Sequence, residues 1–156
     1  MRTQPVQMLL AEDNPSDADL VLASLSKDGL ADVVHVVHDG VEALDFIFSR
    51  GEYAGRELEP SLRVIVLDIK LPRIDGFEVL RELKAHARTR FIPVVMLTSS
   101  NIERDVIRGY ELGANSYLQK PVDFGQFRET VRQLGVYWVT LNEMPPVPAS
   151  DGNAAG

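Results

Sequence analysis

Acidic, hydroxyl and basic side chains follow four short apolar runs of the chain, each at the point where a run ends. The acids are Glu12, Asp13 and Asp68, and the other two residues are Thr98 and Lys120. If the runs are buried parallel strands, their carboxyl ends meet along one edge of a sheet, where such sheets bind ligands. Three clustered carboxylates repel one another unless a cation joins them, and hard oxygen ligands suit Mg²⁺. The pattern predicts a metal-dependent aspartate that handles phosphate, with a lysine and a threonine beside it.

Asp68 is the predicted nucleophile. Asp39, Asp75 and Asp123 each stand before a predicted helix with Glu or Gln three residues later, which is the pattern of a helix cap. Asp68 instead precedes an extended segment and caps no predicted helix. An acid in that position at a strand end is a typical catalytic placement.

The other site residues differ in how strongly the sequence supports them. Asn14, followed by a proline, is the better cap for the next helix, which leaves Glu12 and Asp13 for the crevice. A proline also follows Lys120 and favours an extended backbone that can aim the amine across the strand ends. Threonine is common in strands because of its intrinsic propensity, so Thr98 by itself is weak evidence for a site. The small polar residues that follow Thr98 are the main support for its inclusion.

Composition limits the function classes. A chain of 156 residues is long enough for one domain with a core and too short for two comfortable ones. No cysteine is present, which excludes disulfides, zinc–thiolate sites and thiol catalysis. The net charge of −7 argues against nucleic-acid binding, which requires a basic surface. No apolar run approaches a membrane span or a signal peptide, so we expect no membrane association and a cytoplasmic location.

Short apolar runs alternate with helical patterns along the chain. This alternation predicts an α/β fold with a doubly wound, five-stranded parallel sheet. The expected strands cover residues 6–11, 33–37, 64–67, 93–97 and 116–119, and each is followed by a helix. We expect one domain over residues 1–142, with a long polar connection at 51–62. Residues 143–156 are rich in Pro, Ala and Gly and are expected to form a disordered tail.

The last predicted helix is extended and carries apolar residues on more than one side. One stripe has spacings of three and four residues, as in a coiled coil: Phe124, Phe127, Val131, Leu134, Trp138 and Leu141. Two valines fall outside it. The helix is therefore either an extended core helix with a few exposed valines or a partner-binding surface. We favour a homodimer interface through Phe127, Val131, Leu134, Val136, Trp138 and Val139.

Taken together, the motifs resemble the receiver domain of two-component response regulators over residues 6–140. The resemblance rests on Glu12-Asp13, the segment from Asp68 to Gly76, Thr98, Gly113-Ala114, Tyr117 and Lys120-Pro121, in the family's order and rough spacing. It implies a flavodoxin-like (βα)5 fold. It also implies a phosphoacceptor signalling protein rather than an enzyme that acts on a metabolite.

The resemblance assigns a role to each site residue. Asp68 would accept a phosphoryl group from a histidine kinase, and Lys120 would pair with the phosphoryl oxygens. Thr98 and Tyr117 would carry a switch to the face formed by the fourth helix, fifth strand and last helix. The ligands of Mg²⁺ would be Glu12, Asp13, Asp68 and the backbone carbonyl of Lys70. Glu at position 12 departs from the commoner aspartate.

A narrower group within the family shares two further features of this chain. Its long loop at 51–62 and its aromatic C-terminal helix resemble small stand-alone regulators that are paired with bacterial phytochrome-type kinases. Too few residues follow the last helix for a DNA-binding domain, so we expect output through protein contacts.

Two alternatives come from other functional classes. A haloacid-type, Mg²⁺-dependent phosphohydrolase needs a second aspartate two residues after the nucleophile, where this chain has Lys70. A degenerate receiver that acts only as a docking module would lack part of the acid, threonine and lysine set, and none of that set is missing.

Overall fold

Five parallel strands form a single sheet in the computed structural model, which describes residues 5–55, 61–99, 102–120 and 123–146. The strands are β1 (Met8–Ala11), β2 (Val34–Val37), β3 (Val64–Leu67), β4 (Val94–Thr98) and β5 (Ser116–Gln119). Their order in the sheet is β2-β1-β3-β4-β5, and every neighbouring pair is parallel. The predicted doubly wound, flavodoxin-like sheet is confirmed. Its strand order reverses between β1 and β3, and ligands bind at such a point in these folds.

Five α-helices connect and follow the strands: α1 (Pro15–Ser26), α2 (Gly40–Phe48), α3 (Gly76–Ala85), α4 (Glu103–Glu111) and α5 (Phe124–Gly135). Four of them begin at a side-chain cap. The side chains of Asn14, Asp39, Asp75 and Asp123 each accept a hydrogen bond from the backbone N–H three residues later. Each of the four predicted capping residues is therefore confirmed, and each helix start is fixed by its own sequence.

Two of the helices end at glycines with positive φ. Gly29 has φ +70° and Gly113 has φ +105°, a region that residues with a Cβ rarely adopt. The residue after each glycine donates its N–H to a carbonyl five residues back, as in a Schellman motif. Each of these helices therefore stops just before a glycine of the sequence.

The helices cover both faces of the sheet. Leu9 and Ile65 face the core formed with α2 and α3, while Leu10 and Val66 face the core formed with α1 and α5. Both faces of β1 and β3 are therefore buried, which is why these strands read as continuous apolar runs. The central strands are packed on both sides, and their carboxyl ends lie together at one edge of the sheet.

A π-helical turn at Val136–Leu141 continues α5 and changes which residues are buried. A π turn takes one more residue than an α turn, so the apolar stripe moves on by one position. Val139 is therefore buried, at 7% exposure, whereas Leu141, which the α-helical spacing placed in the stripe, is 64% exposed. The sequence pattern alone gave no sign of this shift.

The predicted interface residues are largely part of the chain's own core. Phe127, Val131 and Val139 are buried against α1 and the sheet, and Leu134 and Trp138 pack partly buried on the same core. The prediction that Phe127, Val131 and Val139 present an exposed interface is wrong, because the helix uses these side chains to cover its own sheet. The alternative of an extended core helix is correct for them.

The C-terminal part of the described chain is tied to the sheet. Arg63, just before β3, donates a hydrogen bond from Nη2 to the backbone carbonyl of Asn142. Residues 143–146 carry no helix or strand, and the rest of the expected disordered tail lies outside the described residues. The connection predicted at 51–62 begins with a 3₁₀ turn at Gly51–Tyr53. Within the described ranges, no helix combines the length and apolar character needed to cross a membrane.

Candidate functional site

The sheet register brings the three predicted acids together. Ala11 pairs with Val37 on one side and with Leu67 on the other, so the next residues on β1 and β3 lie side by side at the carboxyl edge. The Asp68 N–H donates to the Ala11 carbonyl at 3.1 Å, which continues this ladder. Carboxylate oxygens of Glu12, Asp13 and Asp68 all lie within 4.8 Å of one another. The predicted convergence of the acids is present in the fold.

Lys120 reaches this cluster from the end of β5. Its backbone N–H donates to the Thr98 carbonyl at 2.7 Å, which fixes its position beside β4. Its ammonium nitrogen lies 2.7 Å from Glu12 Oε1, 2.9 Å from Asp68 Oδ2 and 2.9 Å from Asp17 Oδ2. The side chain is only 14% exposed. The amine therefore lies across the strand ends, as the sequence predicted, among three carboxylates.

Asp17 was not singled out from the sequence. It lies in the first turn of α1, where an acid is ordinary because it complements the helix dipole. One signal could have pointed to it: Asp17 follows Asp13 by four residues, at the start of a helix that opens on the carboxyl edge of the sheet. Its contact with Lys120 is visible only once β5 is placed.

Burial and charge shift the proton affinity of two groups. Glu12 is 1% exposed, and burial raises the pKa of its carboxyl to about 7, although the Lys120 ammonium opposes this rise. The Asp68 carboxylate raises that pKa further. Burial by itself would lower the pKa of Lys120, but its contacts with the carboxylates of Glu12, Asp17 and Asp68 outweigh burial and raise that pKa above its ordinary value. The lysine is therefore a permanent cation, whereas Glu12 titrates near neutral pH.

The donor set fits a hard divalent cation. Glu12 Oε1 is buried and makes no hydrogen bond of good geometry within the described residues, despite the ammonium 2.7 Å away. A buried carboxylate oxygen without a hydrogen bond is costly unless another partner satisfies it. Asp13 is exposed and opens the cluster to solvent. Three carboxylates, one of which is buried with an oxygen held by the Lys120 ammonium, match the oxygen ligands that Mg²⁺ takes.

Asp68 also has a local backbone role. Its Oδ1 accepts a hydrogen bond from the Lys70 N–H at 3.1 Å, forming a turn of the Asx type. Asp68 caps no helix, as predicted, but its side chain helps to shape the loop after β3. The proposed metal contact of the Lys70 carbonyl remains a prediction.

The two predicted switch residues lie on the neighbouring strands β4 and β5. Thr98 is fully buried at the end of β4. Tyr117, on β5, is half-buried and packs against the core beside α4. Its ring is close to Gly109, where an added Cβ would lie 3.4 Å from the ring carbon Cδ2. The tyrosine ring therefore connects the site's strand to helix α4, although the switching role itself remains a prediction.

Residues 8–132 match the profile of the response regulator receiver domain. The chain belongs to the response regulator receiver family. Proteins of this family are signalling proteins rather than metabolic enzymes, and they bind Mg²⁺ at an acidic pocket. The predicted family and fold are thus confirmed.

Three relatives resemble the whole domain. Response regulator Rcp1 of Synechocystis sp. is 36% identical over 141 residues, covering 90% of this chain and 94% of Rcp1. A Mn²⁺-bound structure of Rcp1 superposes with a TM-score of 0.81 at 34% identity, covering 91% of this chain and 100% of that one. The phosphorylated cyanobacterial phytochrome response regulator RcpA gives a TM-score of 0.82 at 32% identity, covering 92% of this chain and 100% of the RcpA chain. The bacteriophytochrome response regulator AtBRR is 46% identical with a TM-score of 0.67, covering 90% of this chain and 99% of the AtBRR chain. The predicted similarity to small phytochrome-associated regulators is confirmed.

Proposed function

We propose that this receiver domain accepts a phosphoryl group on Asp68 from the phosphohistidine of a histidine kinase. The carrying observation is the position of the Asp68 carboxylate, which is buried to 6% exposure, lies within the acidic cluster and contacts the Lys120 ammonium at 2.9 Å. Glu12, Asp13, Asp68 and the Lys70 backbone carbonyl would hold Mg²⁺. When bound, the ion would offset the negative charge of the cluster and of the incoming phosphoryl group.

The transfer asks little covalent chemistry of the chain. A carboxylate oxygen of Asp68 forms a bond to phosphorus while the bond from phosphorus to the histidine nitrogen breaks, and the electron pair of that bond leaves with the imidazole. Asp68 needs no general base because it reacts as the carboxylate. Lys120 exchanges a carboxylate contact for the phosphoryl oxygens and stabilises their charge as a point cation.

Output would run through the face formed by α4, β5 and α5. The Thr98 hydroxyl would be drawn to the phosphoryl group, and Tyr117 would change its packing against α4 in response. This is a shift between two populated states of one domain. Exposed apolar side chains on this face, such as Ile107 and Tyr110 on α4 and Phe124 on α5, support a protein-binding role.

Three finer aspects belong to the same proposal. The kinase would be of the phytochrome type, as suggested by the similarity to RcpA and AtBRR, and the exchange would take place in the cytoplasm. A second copy of the chain would bind through the C-terminal helix, using the exposed Phe124, Tyr137 and Leu141 beside the half-buried Trp138. Sedimentation over a range of protein concentrations would test the dimer, with Leu141→Ser expected to weaken it.

Phosphorylation with acetyl phosphate and Mg²⁺ tests the central proposal. We expect intact-protein mass spectrometry to show one added phosphoryl group, which Asp68→Asn abolishes. Asp75→Asn is the matched control, because it removes a nearby exposed carboxylate while asparagine keeps the α3 cap. Continuous turnover of acetyl phosphate would favour a hydrolase instead, and no adduct at all would favour a docking module. Either result would contradict the proposal.

The kinase assignment needs a separate experiment. Autophosphorylated histidine kinases from the same organism would be compared for the initial rate of transfer to this chain. We expect a phytochrome-type kinase to transfer fastest. Faster transfer from a kinase without a phytochrome photosensor would contradict that assignment and leave the role of Asp68 intact.

A further inference from the structure

The Lys120 ammonium contacts a carboxylate outside the acidic cluster as well as two within it. An ammonium group has three N–H donors, and three carboxylates surround this one. Two of the carboxylates, Glu12 and Asp68, belong to the cluster that fits a divalent ion. Asp17 does not belong to that cluster and contacts the ammonium from the side of α1 at 2.9 Å.

Helix capping does not explain the position of Asp17. An acid three residues after a cap residue can accept the backbone N–H of that residue, which completes a capping box. Here the N–H of the cap residue Asn14 donates instead to Glu12 Oε2 at 3.1 Å. The Asn14 side chain caps the Asp17 N–H. The Asp17 carboxylate is thus not used by the helix cap, and its described hydrogen bond goes to Lys120.

We propose that Asp17 is a positioning residue that anchors Lys120 when a divalent ion takes over Glu12 and Asp68, and that it competes with the phosphoryl group for the ammonium. This inference rests on the proposed function and adds a residue from outside the predicted site. Its basis is geometric: the same ammonium contacts two carboxylates within the ion cluster and one outside it.

The anchor has opposite consequences for cations and anions at the site. Binding of Mg²⁺ weakens the contacts of Lys120 with the cluster, and Asp17 supplies a partner for the displaced ammonium. Without Asp17, the ammonium has only the cluster to bind and competes harder with the ion. Loss of Asp17 would favour binding of a phosphoryl group. The Lys120 ammonium would then no longer have to break its contact with Asp17 in order to bind the phosphoryl oxygens.

Asp17→Asn tests this, with Asp19→Asn as the matched control. Asp19 is an exposed acid on the same helix, so its replacement removes the same charge without the lysine contact. We expect Asp17→Asn to weaken Mg²⁺ binding and to tighten binding of beryllofluoride in saturating Mg²⁺, each by about two- to fivefold, as for a partly exposed ion pair. Asp19→Asn should leave both unchanged. Equal effects of the two variants would overturn the proposal.

Repeating the Asp17 substitution in a Lys120→Met variant distinguishes an effect that Asp17 exerts through Lys120 from a general effect of removing its charge. Lys120→Met keeps an apolar stem and removes the ammonium. In that background Asp17→Asn should no longer alter the Mg²⁺ dissociation constant, as in a double-mutant cycle. An undiminished effect in the Lys120→Met background would mean that Asp17 acts on the ion directly, which would overturn the proposal.

The contact itself has a spectroscopic readout. A lysine ammonium held by several carboxylates exchanges its protons slowly and gives a resolved ¹⁵N-correlated NMR signal, which Asp17→Asn should broaden and Asp17→Glu should partly restore. An unchanged signal in Asp17→Asn would overturn the proposal. If the wild-type chain fails to bind beryllofluoride with Mg²⁺, the proposed function falls and this inference with it. If the wild-type chain binds and Asp17→Asn behaves like the wild type, only this inference falls.

Discussion

The Lys120 ammonium lies 2.7 Å from the buried Glu12 carboxylate. The acid that we propose as a metal ligand is thus in contact with a cation from the chain itself. A divalent ion bound at the cluster would compete with this lysine for the same carboxylates. The first predictions follow from that competition.

Removing the lysine charge should make stability depend more strongly on the ion. At about pH 8 with EDTA, Lys120→Met should lower the free energy of unfolding by about 3 kcal/mol, because buried carboxylates lose their cation. Millimolar Mg²⁺ should restore most of this loss. Urea unfolding with and without Mg²⁺ measures both, and Lys70→Met, an exposed lysine at the same edge, is the control. A loss of the same size with and without Mg²⁺ would contradict the prediction.

Mg²⁺ affinity should fall in mild acid. Because the pKa of Glu12 is raised to about 7, the ion must displace a proton from this carboxyl at lower pH. We expect the association constant to fall by about tenfold between about pH 8 and pH 6, with proton release on binding. Calorimetry in buffers of different ionisation enthalpy measures that release. Glu12→Gln should bind more weakly and lose this pH dependence; if the wild-type affinity stays flat over the range, Glu12 is not the titrating ligand.

The same carboxyl should influence stability in the presence of EDTA. Its pKa in the folded chain is above the ordinary 4.5, so between pH 4.5 and about 7 the folded state holds more protons on Glu12 than the unfolded state. The Glu12 contribution to stability therefore falls as pH rises through that window, by up to about 3 kcal/mol. The free energy of unfolding of Glu12→Gln minus that of the wild type should therefore increase with pH between pH 4.5 and about 7. A constant difference would contradict this.

Gly40 should tolerate no side chain. A Cβ at this first residue of α2 would lie 1.8 Å from the Ile74 carbonyl oxygen, and the Gly40 N–H donates to the Pro72 carbonyl. Gly40→Ala should therefore destabilise the fold by about 2 kcal/mol or more by pushing α2 away from the loop that follows Asp68. Gly125→Ala is the control, because the helix there leaves room and alanine should be neutral or slightly stabilising. Thermal unfolding of the two variants decides this, and similar melting temperatures would contradict it.

The C-terminal turn offers a matched pair of truncations. Val139→Ala should cost about 2 kcal/mol, because Val139 is buried in the core against α1 and the sheet. Leu141→Ala, two residues on and 64% exposed, should change stability by less than about 0.5 kcal/mol. Urea unfolding of both variants, at a protein concentration at which sedimentation shows monomers, tests the shift of the apolar stripe. If Leu141→Ala were the costlier change, the stripe would follow the plain α-helical spacing.

The sequence could predict those parts of the site that strand ends determine. Asp13, Asp68 and Lys120 follow apolar runs, and parallel pairing alone brings such positions to one edge. Asp17 could not be found in this way, since an acid in the first turn of a helix has an ordinary explanation. Its partner is more than a hundred residues away in the chain.

The last helix shows a different limit. Phe127 and Val131 were correctly seen as one apolar stripe, but a stripe does not reveal whether it covers the chain's own sheet or another molecule. Beyond Gly135, the wider π turn changed the side on which Val139 and Leu141 lie. A sequence pattern assumes a constant number of residues per turn, and that assumption failed at this point.

The hydrogen bond from Arg63 to the Asn142 carbonyl holds Asn142 at the amino end of β3. Arg63 precedes β3 and Asp68 follows it, so the length of one strand, roughly 16 Å, separates this contact from the proposed phosphoacceptor. A fluorophore or affinity handle attached beyond residue 142 would therefore start from the opposite pole of the sheet. A handle placed at that end would start away from Asp68, which makes the end suitable for immobilising the protein in transfer assays.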